Sequence, residues 1–220
     1  MLKRIIIAID GFSSTGKSTI AKQLAKELGY AYVDTGAMYR AVTYFAMQHE
    51  LVGADYLKDQ ELKETLSEIN LKFIYNGKNI EKEIRTMDVS RLVSKIAAIS
   101  SVRRKLVEQQ QEMGKEKGLV MDGRDIGTVV FPEAELKLFM TASAEKRATR
   151  RYKELLDKGD VVSFEDVLQN VQQRDHIDST REDSPLIQAK DAIEFDNSDM
   201  GLKEQFDRIL NITERYIAKA

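Results

Sequence analysis

The chain opens on Arg4-Ile5-Ile6-Ile7-Ala8-Ile9, a run in which β-branched residues follow one another without polar alternation. A strand of that kind has no solvent face, so it predicts a place inside a parallel sheet covered by helices on both sides. The run stops at Asp10 and a glycine-bearing turn follows. Ile20, Leu24 and Leu28 then recur at four-residue spacing up to Gly29. That spacing predicts a helix with one apolar stripe, closed by a glycine suited to a left-handed C-cap.

The turn between strand and helix reads Gly11-Phe12-Ser13-Ser14-Thr15-Gly16-Lys17-Ser18, followed by Thr19. It fits G-x-x-x-x-G-K-[ST] at every fixed position and sits between a buried strand and a helix, the context a phosphate-binding loop requires. Its glycines let backbone N–H groups converge on phosphate oxygens, and the helix N-terminus adds partial positive charge. Lys17 can reach the β- and γ-phosphates, and the Ser18 hydroxyl can ligate Mg²⁺. A glycine-rich turn that merely joins strand to helix would share the composition. By itself the loop predicts binding of a nucleoside triphosphate and no more.

Ala31-Tyr32-Val33 predicts a second strand, leading through Asp34-Thr35-Gly36 into an amphipathic helix that runs to about His49. From about Tyr56 to Thr86 the chain is highly charged. A helix to about Glu68 is expected there, then a hairpin of Lys72-Phe73-Ile74-Tyr75 and Ile80-Glu81-Lys82-Glu83 around Asn76-Gly77. Helix returns from Asp88 to about Lys117, broken near Ser100-Ser101, where a serine can cap a fresh helix. Leu119-Val120-Met121, Leu136-Lys137-Leu138-Phe139-Met140 and Ala192-Ile193-Glu194-Phe195 complete five parallel strands. The expected architecture is α/β, a doubly wound five-stranded parallel sheet in one domain over 1–220. Its core covers about 1–55 and 87–220, with a small insertion at about 56–86.

Composition narrows the function classes. The 220 residues include no cysteine, which excludes disulfides and thiolate metal sites, and suits a reducing compartment. A chain of this length buries enough apolar surface to fold without such staples. His49 and His176 are far apart and show no metal-ligand spacing, so both are expected on the surface. The net charge of -2 removes the blanket electrostatic case for a nucleic-acid partner. The basic start and the apolar run after it are too short for a signal peptide, and no stretch approaches the ~18 apolar residues of a membrane span. A cytoplasmic protein, monomeric and without nucleic-acid or membrane partners, is expected.

What receives the phosphate is a separate question. Asp122-Gly123-Arg124-Asp125 follows a hydrophobic strand, so Asp122 falls where the sheet's carboxyl edge meets a ligand crevice. A carboxylate there can hold the hydration shell of Mg²⁺, although a turn flanked by a salt bridge would read the same way. Arg40, Arg85, Arg103 and Arg124 fall in separate segments, and Arg174, Asp178 and Arg181 share one helical face at i, i+4, i+7. Taken alone, that trio reads as a solvated ion pair worth under ~1 kcal/mol. Beside a phosphate-binding loop it gains a second meaning, because guanidinium forks match phosphate oxygens bidentately. No Ser-His-Asp or Cys-His set is apparent, and an acceptor that is already an anion needs none. Alignment and charge neutralisation are the main terms in phosphoryl transfer.

These blocks together resemble bacterial cytidylate kinase: Ile9-Asp10-Gly11, Asp34 to Arg40 (DTGAMYR), Glu83-Ile84-Arg85-Thr86, Asp122 to Pro132 (DGRDIGTVVFP) and Arg174 to Arg181 (RDHIDSTR). The likeness runs through nearly the whole chain. It implies a P-loop nucleoside monophosphate kinase fold with an acceptor-binding insertion and a short lid near 150–160. It implies transfer from ATP to CMP or dCMP with Mg²⁺. By match to the family motifs, the loop from Gly11 to Thr19 would bind ATP. Thr35, Arg40, Ser94, Arg103, Arg124, Asp125, Arg174, Asp178 and Arg181 would line the CMP site. Asp125, Asp178 and Ser94 would read cytosine and sugar, and the arginines would hold phosphate. Lys17, Asp122, Arg124, Arg150 and Arg151 would serve catalysis, with Ser18 on Mg²⁺ directly and Asp122 through water. The insertion departs from the pattern, being shorter from Leu71 to Ile84 than the family's usual three-stranded sheet. Other readings are a P-loop kinase for AMP, UMP or a small metabolite, a GTPase-type switch, or a silent binding module. The second wants an Asn-Lys-x-Asp motif that the sequence lacks, and intact Lys17, Ser18 and Asp122 argue against the third.

Overall fold

The computed structural model describes residues 3–66, 74–75 and 78–220. Its central sheet has five parallel strands: β1 (Ile6–Gly11), β2 (Ala31–Asp34), β5 (Leu119–Asp122), β6 (Leu136–Thr141) and β7 (Ile193–Asp196), in the spatial order β2-β5-β1-β6-β7. The apolar opening run supplies the central strand, and it is buried along its whole length. Its period of two serves two layers. Ile5, Ile7 and Ile9 pack with Ile20, Leu24, Ile209 and Ile217 on one face. Ile6 and Ala8 meet Leu119, Met121, Ile126 and Val130 on the other. The chain leaves β1 toward β2 and β5 on one side and returns to β6 and β7 on the other. The switch point, where such sheets open a crevice, therefore lies at the carboxyl ends of β1 and β5.

The helices follow from local signals. α1 (Lys17–Leu28) begins at Gly16 (φ 91°) and ends at Gly29 (φ 65°), both left-handed. α2 (Thr35–Gln48) is capped by the Asp34 carboxylate, which accepts the Ala37 N–H at 2.8 Å. α3 (Asp59–Thr65) ends just short of the expected Glu68, a residue outside those described. The hairpin pairs β3 (Ile74–Tyr75) with β4 (Lys78–Asn79). Lys72, Phe73 and the Asn76-Gly77 turn lie outside the described residues. The expected second arm, Ile80 to Glu83, is not a strand. Ile80 and Ile84 bury themselves against Ala37 and Ala41 of α2, and the chain turns there into a 3₁₀ turn at Glu83–Arg85.

Thr86 caps α4 (Met87–Ala97), and a break does separate it from α5 (Ser100–Met113). The capping expectation is corrected, because Ile99 occupies the N-cap and Ser100 is already helical. Ile99 is drawn into the core beside Ile96 and Val102, and that burial sets the boundary instead of a hydroxyl cap. α6 (Ala144–Asp157), α7 (Phe164–Thr180) and α8 (Leu202–Lys219) complete the described helices.

Gly11 is where the sheet allows no side chain. Its φ is 142°, and a Cβ would stand 2.0 Å from the Met140 carbonyl oxygen of β6. Gly11→Ala is expected to destabilise the protein by about 3 kcal/mol or more, read from denaturant unfolding. A loss below about 1 kcal/mol would show that β1 and β6 can part there without strain.

Candidate active site

The phosphate-binding loop rises from β1, passes Ser14 in the left-handed region (φ 59°) and enters α1 through Gly16. It is clamped from outside. The Ser13 N–H donates to Asp175 Oδ1 (3.0 Å), while Arg147 Nη1 donates to the Ser13 carbonyl (3.0 Å) and pairs with the other Asp175 oxygen. The Arg147 guanidinium also covers the Phe12 ring, 5.3 Å from its centroid. On the far side Asn197 Nδ2 donates to the Thr15 carbonyl (2.7 Å), and Arg150 holds Asn197 through its Oδ1 (2.9 Å) and its carbonyl (2.7 Å). Lys17 is buried inside the loop, donating to the Gly11 carbonyl (2.8 Å) and to Thr15 Oγ1 (3.2 Å). Burial and the charge of Arg124 push its ammonium well below the usual lysine range. A cation in that position is short of negative charge, which a phosphate would supply.

Three carboxylates stand at the carboxyl ends of neighbouring strands. Asp10 accepts the N–H groups of Ile126 (2.8 Å) and Gly127 (2.7 Å), and so fixes the π-helical turn at Ile126–Val130. Burial pushes Asp10 up to about 6, against the pull of those two bonds. Asp122 takes the Ser18 hydroxyl on Oδ2 (2.8 Å) and the Tyr32 hydroxyl on Oδ1 (2.9 Å). Its backbone carbonyl accepts from Thr35 Oγ1 (2.8 Å). Burial and the adjacent Asp34 push it up to about 7. Asp34 pairs with Arg85 at 3.1 Å.

Opposite these lies the arginine wall. Arg124 Nε meets Asp178 Oδ2 at 2.9 Å, and Arg103 pairs with Asp125. Arg181 lies 3.8 Å from both Asp125 and Asp178, and donates to the Ser184 carbonyl. Burial would raise Asp178, yet Arg124, Arg174 and Arg181 hold it below the usual carboxylate range. Arg151 bonds to the Arg85 carbonyl (3.0 Å) and pairs with Glu154 (2.9 Å). Arg40 and Arg174 make no ion pair among the described residues. Arg174 is buried, and its Nε finds no partner there. Burial, with Arg40 and Arg124 close by, pushes Arg174 down to about 9, so it remains a cation at neutral pH. Burial likewise pushes Arg40 down, with Asp34 opposing and Arg85, Arg151 and Arg124 reinforcing.

One cleft of about 670 Å³ connects these groups. Ser14 to Thr19, Thr35, Arg40, Ser94, Arg103, Asp122, Arg124, Asp125, Arg150, Arg151, Arg174, Asp178 and Arg181 all line it. Gly11, Phe12 and Ser13 do not. Their segment lies behind the loop, with the Phe12 ring packed edge-on against Phe139 (5.9 Å). The solvated ion-pair reading of Arg174, Asp178 and Arg181 is also corrected. All three side chains are buried, Asp178 engages Arg124, and Arg181 stands at the C-cap of α7. Arg150 and Arg151 lie within α6, which covers most of the segment expected as a short lid. His49 and His176 are exposed.

Sequence reasoning did not single out Asp10, Tyr32, Asp34, Arg147, Asp175 or Asn197 for these contacts, and it noted Arg85 without giving it a role. A carboxylate at the carboxyl end of a strand was a usable signal for Asp10 and Asp34. Arg147 and Asn197 carry no signal of that kind, since only the tertiary fold brings them to the loop.

Residues 7–215 match the family model described as Cytidylate kinase. The chain is 63% identical to a Cytidylate kinase of Flavobacterium johnsoniae, over 96% of each chain. It is 58% identical to a Cytidylate kinase of Parabacteroides distasonis, over 93% of this chain and 94% of that one. An uncharacterized protein from Eubacterium ventriosum (TM-score 0.51, 13% identity) is similar over 99% of this chain and 100% of its own. A sugar kinase from Janibacter sp. (TM-score 0.50, 13% identity) is similar over 99% of both. At that identity these two solved structures share the fold alone.

A buried arginine with no carboxylate partner detracts from folding and favours anion binding. Arg174→Met, which keeps bulk without charge, is expected to leave the thermal midpoint of the free protein unchanged or higher. It should raise the KM for a phosphorylated acceptor by about tenfold or more, the loss of one charge-assisted contact. A lower midpoint with an unchanged KM would return Arg174 to a structural role.

Proposed function

The chain belongs to the cytidylate kinase family, and on that premise we propose how its cleft carries the reaction, the transfer of the γ-phosphoryl group of ATP to CMP or dCMP to give ADP and CDP or dCDP. The observation that carries the reading is the pair of arginines without an ion-pair partner among the described residues, half-buried Arg40 and buried Arg174, facing the phosphate-binding loop across one cleft. In this reading ATP lies along the loop, where backbone N–H groups and the α1 N-terminus meet its phosphates. Lys17 leaves the loop carbonyls for the β- and γ-phosphates, gaining the negative charge that its position lacks. Arg40, Arg124 and Arg174 hold the phosphate of the acceptor. Arg103, Asp125, Asp178, Ser94 and Thr35 shape the pocket for cytosine and sugar, and Arg181 orients both aspartates.

An acceptor phosphate oxygen attacks the γ-phosphorus as the bond to the β-bridging oxygen breaks, and ADP leaves with that electron pair. The nucleophile is already anionic, so no general base is required. The arginines neutralise the acceptor's charge and hold its oxygen in line, the two contributions that matter most in this chemistry. Arg150, held by Asn197 beside the phosphate-binding loop, and Arg151, beside Arg85, both line the cleft, from which they can reach the transferring group.

Ser18 and Asp122 would hold Mg²⁺, Asp122 through a water. The donor set is all oxygen, as that cation prefers. Among the described residues no group of three His, Cys, Asp or Glu forms a cage, so phosphate oxygens and waters would complete the shell. Bound there, the ion offsets charge on the β- and γ-phosphates. Among the described residues no helix is long and apolar enough to cross a membrane.

ADP release measured across CMP, dCMP, UMP and AMP is expected to be fastest with the cytidine nucleotides. If UMP or AMP exceeded both in kcat/KM by about tenfold, a transition-state preference of ~1.4 kcal/mol, the cytidine assignment would fail. Lys17→Ala is expected to lower kcat by about two to three orders of magnitude, because it removes a charge aimed at the transferring group. Near-normal turnover in a folded variant would overturn that role.

A further inference from the structure

A carboxylate at the end of a strand can turn about its Cβ–Cγ bond, and a turned Asp122 would present a different oxygen to the cleft. In this chain each oxygen has its own hydroxyl donor, drawn from a different element. Ser18, in the first turn of α1, reaches Oδ2 at 2.8 Å. Tyr32, from β2, reaches Oδ1 at 2.9 Å. Strand register explains the second contact. Tyr32 pairs with Val120 and Asp34 with Asp122, so Tyr32 and Asp122 are diagonal neighbours on one face of the sheet. The length of the tyrosine side chain spans that diagonal, as the 2.9 Å contact shows. The ring packs against the cluster of Ile20, Leu24 and Val120 beneath α1, which fixes its direction. Phenylalanine would fill that space equally well, so packing does not account for the hydroxyl.

We propose that Tyr32 is a positioning residue for phosphoryl transfer: its hydroxyl pins one oxygen of Asp122 so that the other, shared with Ser18, faces the Mg²⁺-bearing end of the nucleotide. The proposal rests on the reading of Ser18 and Asp122 as the cation-holding pair. It carries that reading one shell outward, to a residue that does not line the cleft. Groups that orient a metal-holding side chain change metal affinity or activity by about 10- to 100-fold.

The test compares equilibrium binding of ADP, with Mg²⁺ and with EDTA, to the full chain and to Tyr32→Phe by titration calorimetry. The wild type should bind more tightly with Mg²⁺. Tyr32→Phe should keep the Mg²⁺-free affinity and lose about tenfold of the Mg²⁺-dependent gain, with a matching fall in kcat and an unchanged acceptor KM. Tyr32→Leu, which lacks ring and hydroxyl alike, should lose the same increment, so whichever variant folds reads the hydroxyl. In an Asp122→Asn background, Tyr32→Phe should add nothing. An undiminished Mg²⁺-dependent gain in the hydroxyl-free variants would overturn the proposal, as would an equal loss with and without Mg²⁺, the mark of packing alone. If Asp122→Asn itself leaves the Mg²⁺-dependent gain intact, the cation reading fails, and that result is separate from any result at Tyr32.

Discussion

The buried guanidinium of Arg174, with Arg40 and Arg124 close by and no ion-paired carboxylate among the described residues, is the group around which the rest of the cleft is arranged. Like charges at short range away from water repel strongly, and burial removes the hydration that would offset them. The fold answers part of the excess and leaves part unanswered. Asp178 takes Arg124, Asp125 takes Arg103, Asp34 takes Arg85 and Glu154 takes Arg151. What is left over is the charge of Arg40 and Arg174, which suits a small dianion. Such an arrangement persists only where the surrounding elements hold it, and that explains the density of side chain to backbone bonds around the loop.

α7 does much of the holding. Arg174 and Asp178, four residues apart, share a face toward the cleft, while Asp175 is rotated by about 100° and meets the underside of the phosphate-binding loop. One turn of one helix thereby touches the donor loop and the acceptor wall together. A shift of α7 cannot move one without the other. In-line transfer needs that coupling, since a misplacement of about 1 Å is enough to lose much of the rate. Arg147, carried by α6, closes the same junction through Asp175, Ser13 and Phe12.

How much of this could be read in advance depended on the range of the interaction. β1 and β5 were legible because a buried strand leaves an unbroken apolar run, whereas β2 and β7 are only partly buried and show as short apolar stretches, and Gly16 and Gly29 marked the ends of α1 through backbone conformation alone. The loop residues Lys17 and Ser18, with Asp122 and the arginine segments, were legible from residue chemistry, whereas Thr35 and Ser94 were named only through the family resemblance, and all of them line the cleft. Ile74-Tyr75 pairs in a hairpin as expected, but with Lys78-Asn79 instead of the expected second arm. Ile80 and Ile84 found apolar neighbours on α2, and tertiary burial overrode the local alternation. The clamps on the loop escaped for a different reason. Asn197 and Arg147 look like any other polar residues until the topology brings them to Thr15 and Ser13.

The negative groups have an order of their own. Asp10, Asp34 and Asp122 end three strands on one edge of the sheet, and Asp34 stands opposite Asp122 in register. Two carboxylates directly across a ladder repel, so each must turn toward other partners. Asp34 turns to Arg85 and to the Ala37 N–H. Asp122 accepts from two hydroxyls, which orient a carboxylate without cancelling its charge, and although Lys17 draws it down it remains pushed up to about 7 by burial and Asp34. The strand edge thus gathers carboxylates around Lys17, where the arginine wall carries an excess of cations. In the proposed reading a nucleotide that arrives with a divalent cation suits the first side, and a bare phosphomonoester suits the second. On that reading the polarity of the cleft, more than its shape, assigns each substrate to its half.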